Sequence, residues 1–283
     1  MLLPDVLREV WGRAEAGEIS RERATAEQER LLEGYAAQWR SALLAPDETD
    51  LRASLLREIG VYCGVADLGE VERRCAGAVE AMRGEWEAGV HADRRATIED
   101  FYQSATHIYD LMGWHSLRDD NGPLAYVLGV EIARQKGATT CLDFGSGVGS
   151  GGLLFARAGL EVTLADISDT LLDFARWRFE RRGLPAAYLD LRKRSLPERA
   201  FDIILAMDVF EHLTDPVRSV GELWCSLRPG GLLFARIHED TAADHPQHIV
   251  RDFGPTFAHM RELGLREVWR DTWLWGHQLF QRP

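Results

Sequence analysis

The sequence predicts an α/β protein: a doubly wound, mostly parallel sheet over residues 121–283, preceded by an all-helical segment over residues 1–120. Three observations predict it. From Asn121 onward, short apolar runs alternate with amphipathic segments of helical period, the pattern of strands covered on both faces. The first of these runs ends in a turn made mostly of glycine and serine, CLDFGSGVGSGG, Cys141 to Gly152. The residues before Asn121 show helical spacing, with no strand alternation and no internal repeat.

The elements follow in order. Leu31, Leu32, Tyr35 and Trp39 fall on one face of a helix among Glu, Arg and Gln. Pro46 breaks the chain, and the acidic run from Asp47 to Asp50 suits the start of a new helix. VERRCAGAVEAMRGEWEAG continues the pattern, and FYQSATHIYDLMGWHSL, Phe101 to Leu117, reads as a helix with an aromatic face. GPLAYVLGVEIARQKG is a helix with Pro123 in its first turn and Gly137 past its end. Then come TTCLDF (strand), GGLLFARAG (helix), EVTLAD (strand), SDTLLDFARWRFERRG (helix), AAYLDL and FDIILAM (strands). DPVRSVGELWCSLRPGG (helix and turn), LLFARIH (strand) and FGPTFAHMRELG (helix) follow. LREVWRDTWLWGHQLFQ holds two strand-like runs with Arg270 to Thr272 as the turn, which predicts an antiparallel hairpin on the sheet edge. Trp269, Trp273 and Trp275 then share one strand face by alternation.

Bulk properties narrow the function. The chain has 283 residues, enough for one large domain or a domain with an extension. A net charge of -12 disfavours nucleic acid and anionic membrane surfaces as partners. The four cysteines, Cys63, Cys75, Cys141 and Cys225, form no CxxC pair and read as reduced thiols. No apolar run suits a signal peptide or a membrane span, so a cytoplasmic protein is expected.

In a doubly wound sheet, ligands sit at the carboxyl ends of the strands, beside the first strand–helix turn. Gly145, Gly147 and Gly149 occupy that turn, where glycine permits positive φ and close backbone approach. The spacing is GxGxG, with Ser150 where a dinucleotide loop has its third glycine. Asp143 ends the preceding strand. A carboxylate there is a poor neighbour for a pyrophosphate and a good one for an ammonium group. Asp166 ends the next strand, about twenty residues on, placed to take the hydroxyls of a ribose. Asp190 ends the third, where an adenine amino group would lie. Cation, ribose and adenine together describe S-adenosylmethionine; NAD has no ammonium group.

Four segments, LDFGSGVGSGGLLFARAG, TLADIS, FDIILAMDVFEHLTDP and LRPGGLLFA, resemble in order and spacing the class I S-adenosylmethionine-dependent methyltransferases, in particular the ubiquinone/menaquinone-biosynthesis-like group. The resemblance covers roughly Gly122 to Phe280 and not the helical segment. It implies a Rossmann-like seven-stranded sheet with a terminal antiparallel hairpin. It implies that Asp143 and the loop glycines hold the methionine end, that Asp166 with Ile167 holds the ribose, and that Asp190 with Leu191 flanks adenine. Met207 and Asp208 would close the pocket behind the sulfonium. It also implies a small-molecule acceptor, methylated on oxygen or nitrogen. Bacterial specialised or envelope metabolism is the expected setting. The extension over 1–120 then acts as a lid, packs on the main domain, or joins two copies in a homodimer.

Methyl transfer from a sulfonium asks chiefly for alignment and exclusion of water; a hydroxyl acceptor also needs a base. His212, His245 and His248 are the candidates, with His238 at the end of the fifth strand. A divalent ion on Asp208, Glu211 and His212, joined by His245 or His248, is a different possibility; similar E-x-x-E-H clusters in related methyltransferases use a metal. The same residues also fit a protein that binds the cofactor without turnover, as a sensor or assembly subunit. An NAD-dependent oxidoreductase is disfavoured by Asp143. Tyr102, Tyr109 and Trp114 either pack on the core or stack over cofactor or acceptor.

Overall fold

The computed structural model describes residues 1–90, 95–117, 122–238 and 246–283. The elements before Asn121 are helices: α1 (Leu3–Glu15), α2 (Arg21–Leu43), α3 (Leu51–Cys63), α4 (Leu68–Gly89), α5 (Arg95–Ser104) and α6 (Ile108–His115). Side-chain caps start three of them. Ser20, Asp50 and Asp67 accept the N–H of Arg23, Ala53 and Gly69, groups with no partner inside the helix. The aromatic segment from Phe101 to Leu117 is not one helix. It breaks between α5 and α6 because Thr106 turns its N–H to Glu85 on α4, at 3.1 Å to Oε2.

Helix α7 (Ala125–Gln135) follows a 3-10 turn holding Pro123 and leads into the alternating region: β1 (Thr140–Phe144), α8 (Ser150–Arg157), β2 (Glu161–Asp166), α9 (Asp169–Arg181), β3 (Ala187–Asp190) and β4 (Phe201–Ala206). A second 3-10 turn (Phe210–His212), α10 (Pro216–Ser226), β5 (Leu227–Ala235), α11 (Gly254–Glu262), β6 (Arg266–Arg270) and β7 (Gln278–Gln281) complete it. The seven strands lie in the order β3-β2-β1-β4-β5-β7-β6. β1 to β5 pair in parallel, and β7 runs antiparallel between β5 and β6. The chain therefore turns outward in both directions from β1 and β4, which sets the ligand crevice at their carboxyl ends.

Alternate side chains of the central strands fill two cores. Cys141, Ile203 and Leu205 face α1, α2, α7 and α8; Leu142, Ile204 and Ala206 face α10 and α11. Leu7, Trp39 and Leu43 of the extension share the first core with Leu128 and Leu153. Each such side chain contributes about 1.5–3 kcal/mol over exposure, so the extension docks on its own sheet mainly through apolar burial. A third core, with Ile59, Met82 and Ile108 of the extension, includes Val148 of the glycine turn and Leu171 and Phe174 of α9. No helix among the described residues is long and apolar enough to cross a membrane.

The terminal hairpin corrects two expectations. Its connection runs from Asp271 to His277 rather than from Arg270 to Thr272. Only Trp269 lies on a strand, so Trp269, Trp273 and Trp275 do not share a strand face. The cause is Asp271. Its buried carboxylate accepts the N–H groups of Trp273, Leu274 and Trp275 at 2.7–2.9 Å, which takes them out of any ladder. Trp273 is left exposed, and Trp275 sits beside Tyr35 of α2.

Candidate active site

The carboxyl ends of β1 to β4 place the acidic residues that the sequence singled out. Asp143 is 2% exposed at the end of β1. Its Oδ2 accepts the Gly152 N–H at 2.9 Å. Burial pushes its carboxyl up to about 7; the Gly152 N–H pulls it down and Asp166 pushes it up further. Asp166 accepts two backbone N–H groups, Gly147 to Oδ2 and Ser168 to Oδ1, each at 2.9 Å. Burial raises its carboxyl, against those hydrogen bonds. A carboxylate has about four acceptor positions, so Asp166 keeps capacity for further donors. Asp190 bonds the Arg192 N–H at 2.9 Å and meets Lys193 at 2.7 Å. Burial alone would raise its carboxyl, but Lys193 and Arg192 hold it below the usual range. Leu191 donates its N–H to Asp166 O at 2.9 Å, which joins the ribose and adenine candidates.

Positive φ favours glycine at both Gly145 and Gly147, and packing excludes a side chain only at the first. Gly145 adopts φ +69°, and a Cβ there would meet Val209 Cγ2 at 2.6 Å, so the protein itself excludes a side chain. Gly147 adopts φ +52°, and the nearest atom to a Cβ there is Met112 Sδ of α6, at 3.6 Å. The extension thus roofs the turn. It also reaches the strand ends nearby. Gln103 of α5 donates to Ile167 O, and Gln103 O accepts from Thr170 Oγ1 at 3.1 Å. Tyr109 donates to Thr170 O at 3.4 Å.

After β4 the chain turns sharply. Met207 is buried, whereas Asp208 is exposed and held at φ +52°. Asp208 pairs with Arg236 Nε at 3.0 Å. It therefore does not join the histidines, which corrects the ligand set expected from the sequence. The residues that converge are Glu211, His212 and His248, with one donor atom of each within 4.8 Å of the others. The rings of His212 and His248 meet edge-on at 4.8 Å. His212 Nδ1 lies 3.1 Å from Gln247 O and 3.1 Å from the Tyr102 hydroxyl. A carbonyl only accepts, so the Gln247 contact assigns the Nδ1 proton and leaves Nε2 as the basic nitrogen. His238 faces the Arg236 guanidinium at 3.1 Å. His245 lies outside the described residues.

Sequence reasoning missed three groups. Arg236 carried no motif signal. His277, 2% exposed and stacked on Phe234 at 5.2 Å, has no partner for either ring nitrogen among the described residues. Arg178 is 1% exposed and reaches the glycine turn from α9, with Nη1 at 2.7 Å from Val148 O and 3.0 Å from Ser150 Oγ. Only the apolar neighbours of Arg178 in the sequence hinted that its charge is buried.

Comparison with known proteins finds methyltransferases. Residues 142–235 match the family described as "Methyltransferase domain". The chain is 38% identical over 107 residues to a ubiquinone biosynthesis O-methyltransferase of Paramagnetospirillum magneticum, covering 36% of this chain and 42% of that protein. It is 33% identical over 108 residues to a demethylmenaquinone methyltransferase of Thermus thermophilus, covering 37% of this chain and 49% of that one. The chain thus spans less than half the length of these curated relatives. A solved S-adenosylmethionine-dependent methyltransferase from Aquifex aeolicus overlays 53% of this chain and 86% of that one, with TM-score 0.44 and 18% identity. Residues 142–235 of this chain are a methyltransferase domain, similar in sequence to those of quinone-biosynthesis methyltransferases.

Proposed function

We propose that the chain transfers a methyl group from S-adenosylmethionine to an oxygen or nitrogen atom of a small-molecule acceptor. The observation that carries this reading is Asp143. A carboxyl buried beside a glycine turn and raised to about 7 gains most from a cation, and the ammonium of the methionine end is one. Asp143 with Gly145, Gly147 and Gly149 would hold that end. Asp166 with Ile167 would hold the ribose, and Asp190 with Leu191 the adenine; Met207 and Asp208 would lie behind the sulfonium. The bound cofactor supplies an electrophilic methyl group. The chain's own part is to align the acceptor, keep water out under the roof of α5 and α6, and take the acceptor's proton on His212 Nε2. His248 packs against that ring. The O-methyltransferase name of the Paramagnetospirillum magneticum relative favours an oxygen acceptor.

We divide the chain into a helical extension, 1–120, and a transferase domain, 121–283. Its four free thiols suit a cytoplasmic setting. A homodimer through the extension would use the helix faces that its docking leaves exposed. Titration of S-adenosylhomocysteine into wild type and His212→Ala tests the main reading. Both should bind in the micromolar range, and the variant should lose about 10²–10⁴-fold in turnover on a phenol or amine panel. Binding with no turnover on any acceptor favours a sensor. No binding at all defeats the cofactor assignment.

A second reading rests on Glu211, His212 and His248, two imidazoles and a carboxylate, a donor set that suits Zn²⁺ and other divalent transition ions. Donors around such an ion stand about 3.4 Å apart at bonds of about 2.1 Å, so the trio would draw together to hold it. Turnover lost to a chelator and restored by a divalent ion supports this version.

A further inference from the structure

The helical extension and the glycine turn meet through a buried ion pair that neither the motifs nor the proposed chemistry uses. Glu58 of α3 is 3% exposed. Its Oε2 lies 3.3 Å from Arg178 Nε, and its Oε1 accepts from Arg182 Nη1. Arg182 also donates to Leu43 O at the end of α2. Arg178 then spends Nη1 on the turn, on Val148 O and on Ser150 Oγ. Ser150 Oγ is shared with Ser116 Oγ at 3.0 Å, and Ser116 O accepts the Trp39 Nε1–H at 2.9 Å. The turn is thus gripped from the extension by two routes, one ionic through α3 and one hydroxyl-based behind α6. Arg178 Nη2 is buried with no partner among the described residues, so the network has no spare acceptor to offer if Glu58 is lost.

We propose that Glu58 and Arg178 are positioning residues: docking of α3 fixes the Arg178 guanidinium, which fixes the Val148 carbonyl and Ser150, and so sets the backbone of the turn that receives the cofactor. The extension on this view is part of the cofactor site's frame. Glu58 touches neither the proposed methionine end nor the ribose side, yet it controls the affinity for both. The inference rests on the reading of the turn as the cofactor's seat.

A buried pair can be purely structural, and removing one partner of it is costly, whereas replacing both is often nearly neutral. That asymmetry separates the two roles. Three variants are compared: Glu58→Gln, the triple variant Glu58→Gln/Arg178→Met/Arg182→Met, which removes all three charges of the cluster, and Ser150→Ala. Each is read by its thermal midpoint, by amide exchange at residues 147–152 in the free protein, and by S-adenosylhomocysteine affinity. The single Glu58 variant should lose both stability and affinity. The triple variant should recover most of the thermal midpoint, yet keep fast amide exchange in the turn and at least tenfold weaker binding. Ser150→Ala should leave the midpoint nearly unchanged and weaken binding several-fold. If turn exchange and affinity return with the midpoint in the triple variant, or if Ser150→Ala changes neither, the cluster is structural only and the proposal fails. Wild-type protein that does not bind S-adenosylhomocysteine sinks the cofactor reading, while amide exchange still decides the strut.

Discussion

Tyr102 and His212, 110 residues apart in sequence, meet with the phenol hydroxyl 3.1 Å from the imidazole Nδ1, their rings edge to face at 6.2 Å. Tyr102 belongs to α5 of the extension and His212 to the 3-10 turn after β4. The extension therefore supplies a side chain that abuts the proposed base. Tyr102→Phe removes the hydroxyl and keeps the ring. Turnover should fall about three- to tenfold, the worth of one hydrogen bond, with S-adenosylhomocysteine affinity within twofold of wild type. Steady-state kinetics beside a binding titration reads the split; an equal loss in both would assign Tyr102 to cofactor binding instead.

Asp143→Asn separates folding from binding. The folded carboxyl is raised to about 7, above its ordinary value of 3.8. Its favourable contribution to folding is thus complete below pH 3.8 and is lost as pH rises through 7. Asparagine never ionises. The free variant should be more stable than wild type at pH 8 by up to about 4 kcal/mol, and by less than half of that at pH 5, while cofactor affinity drops at both. Urea unfolding at the two pH values measures this; equal stabilities at pH 8 would mean that Asp143 is not strained by its burial.

His277 should confer acid sensitivity. Burial drives its imidazole down to about 4 from 6.5; Arg236 and His238 push the same way, against Asp208 and Asp271. The unfolded chain binds the proton first, so stability is full above pH 6.5 and falls as pH drops towards 4, by about 3 kcal/mol. His277→Phe keeps the stack on Phe234 and removes both nitrogens, which have no partner among the described residues. It should flatten the stability profile between those pH values without loss at pH 7.5. A variant whose profile still follows that of wild type would place the acid-sensitive group elsewhere.

Asp271→Ala removes one acceptor from three N–H groups in the β6–β7 connection. The expected cost is about 3 kcal/mol, since hydrogen bonds to a buried charge are worth more than neutral ones. Trp275 should lose its seat beside Tyr35, which a shift in tryptophan fluorescence reports. An unchanged unfolding midpoint and spectrum would show that the tryptophan packing alone holds this connection.

The doubly wound sheet was legible because strands covered on both faces leave near-continuous apolar runs, such as FDIILAM, and because the polar residues at their ends are Asp143, Asp166 and Asp190. The same logic failed at LREVWRDTWLWGHQLFQ. There, alternate tryptophans imitate a strand, and one aspartate two residues before Trp273 captures the backbone. Asp208 was grouped with Glu211 and His212 on spacing; its partner, Arg236, comes from the chain after β5, which spacing does not reveal.

Taken alone, the sequence determined the order of strands and helices, the seat of the glycine turn and the carboxylates around it, because these depend on local period and on residues a few positions apart. Only the tertiary structure decided that Met112 roofs Gly147, that Tyr102 meets His212, that His248 joins Glu211 and His212, and that Glu58 holds Arg178 behind the turn. Those contacts cross between separate elements, and their geometry is set by how buried apolar faces pack, which no local pattern encodes.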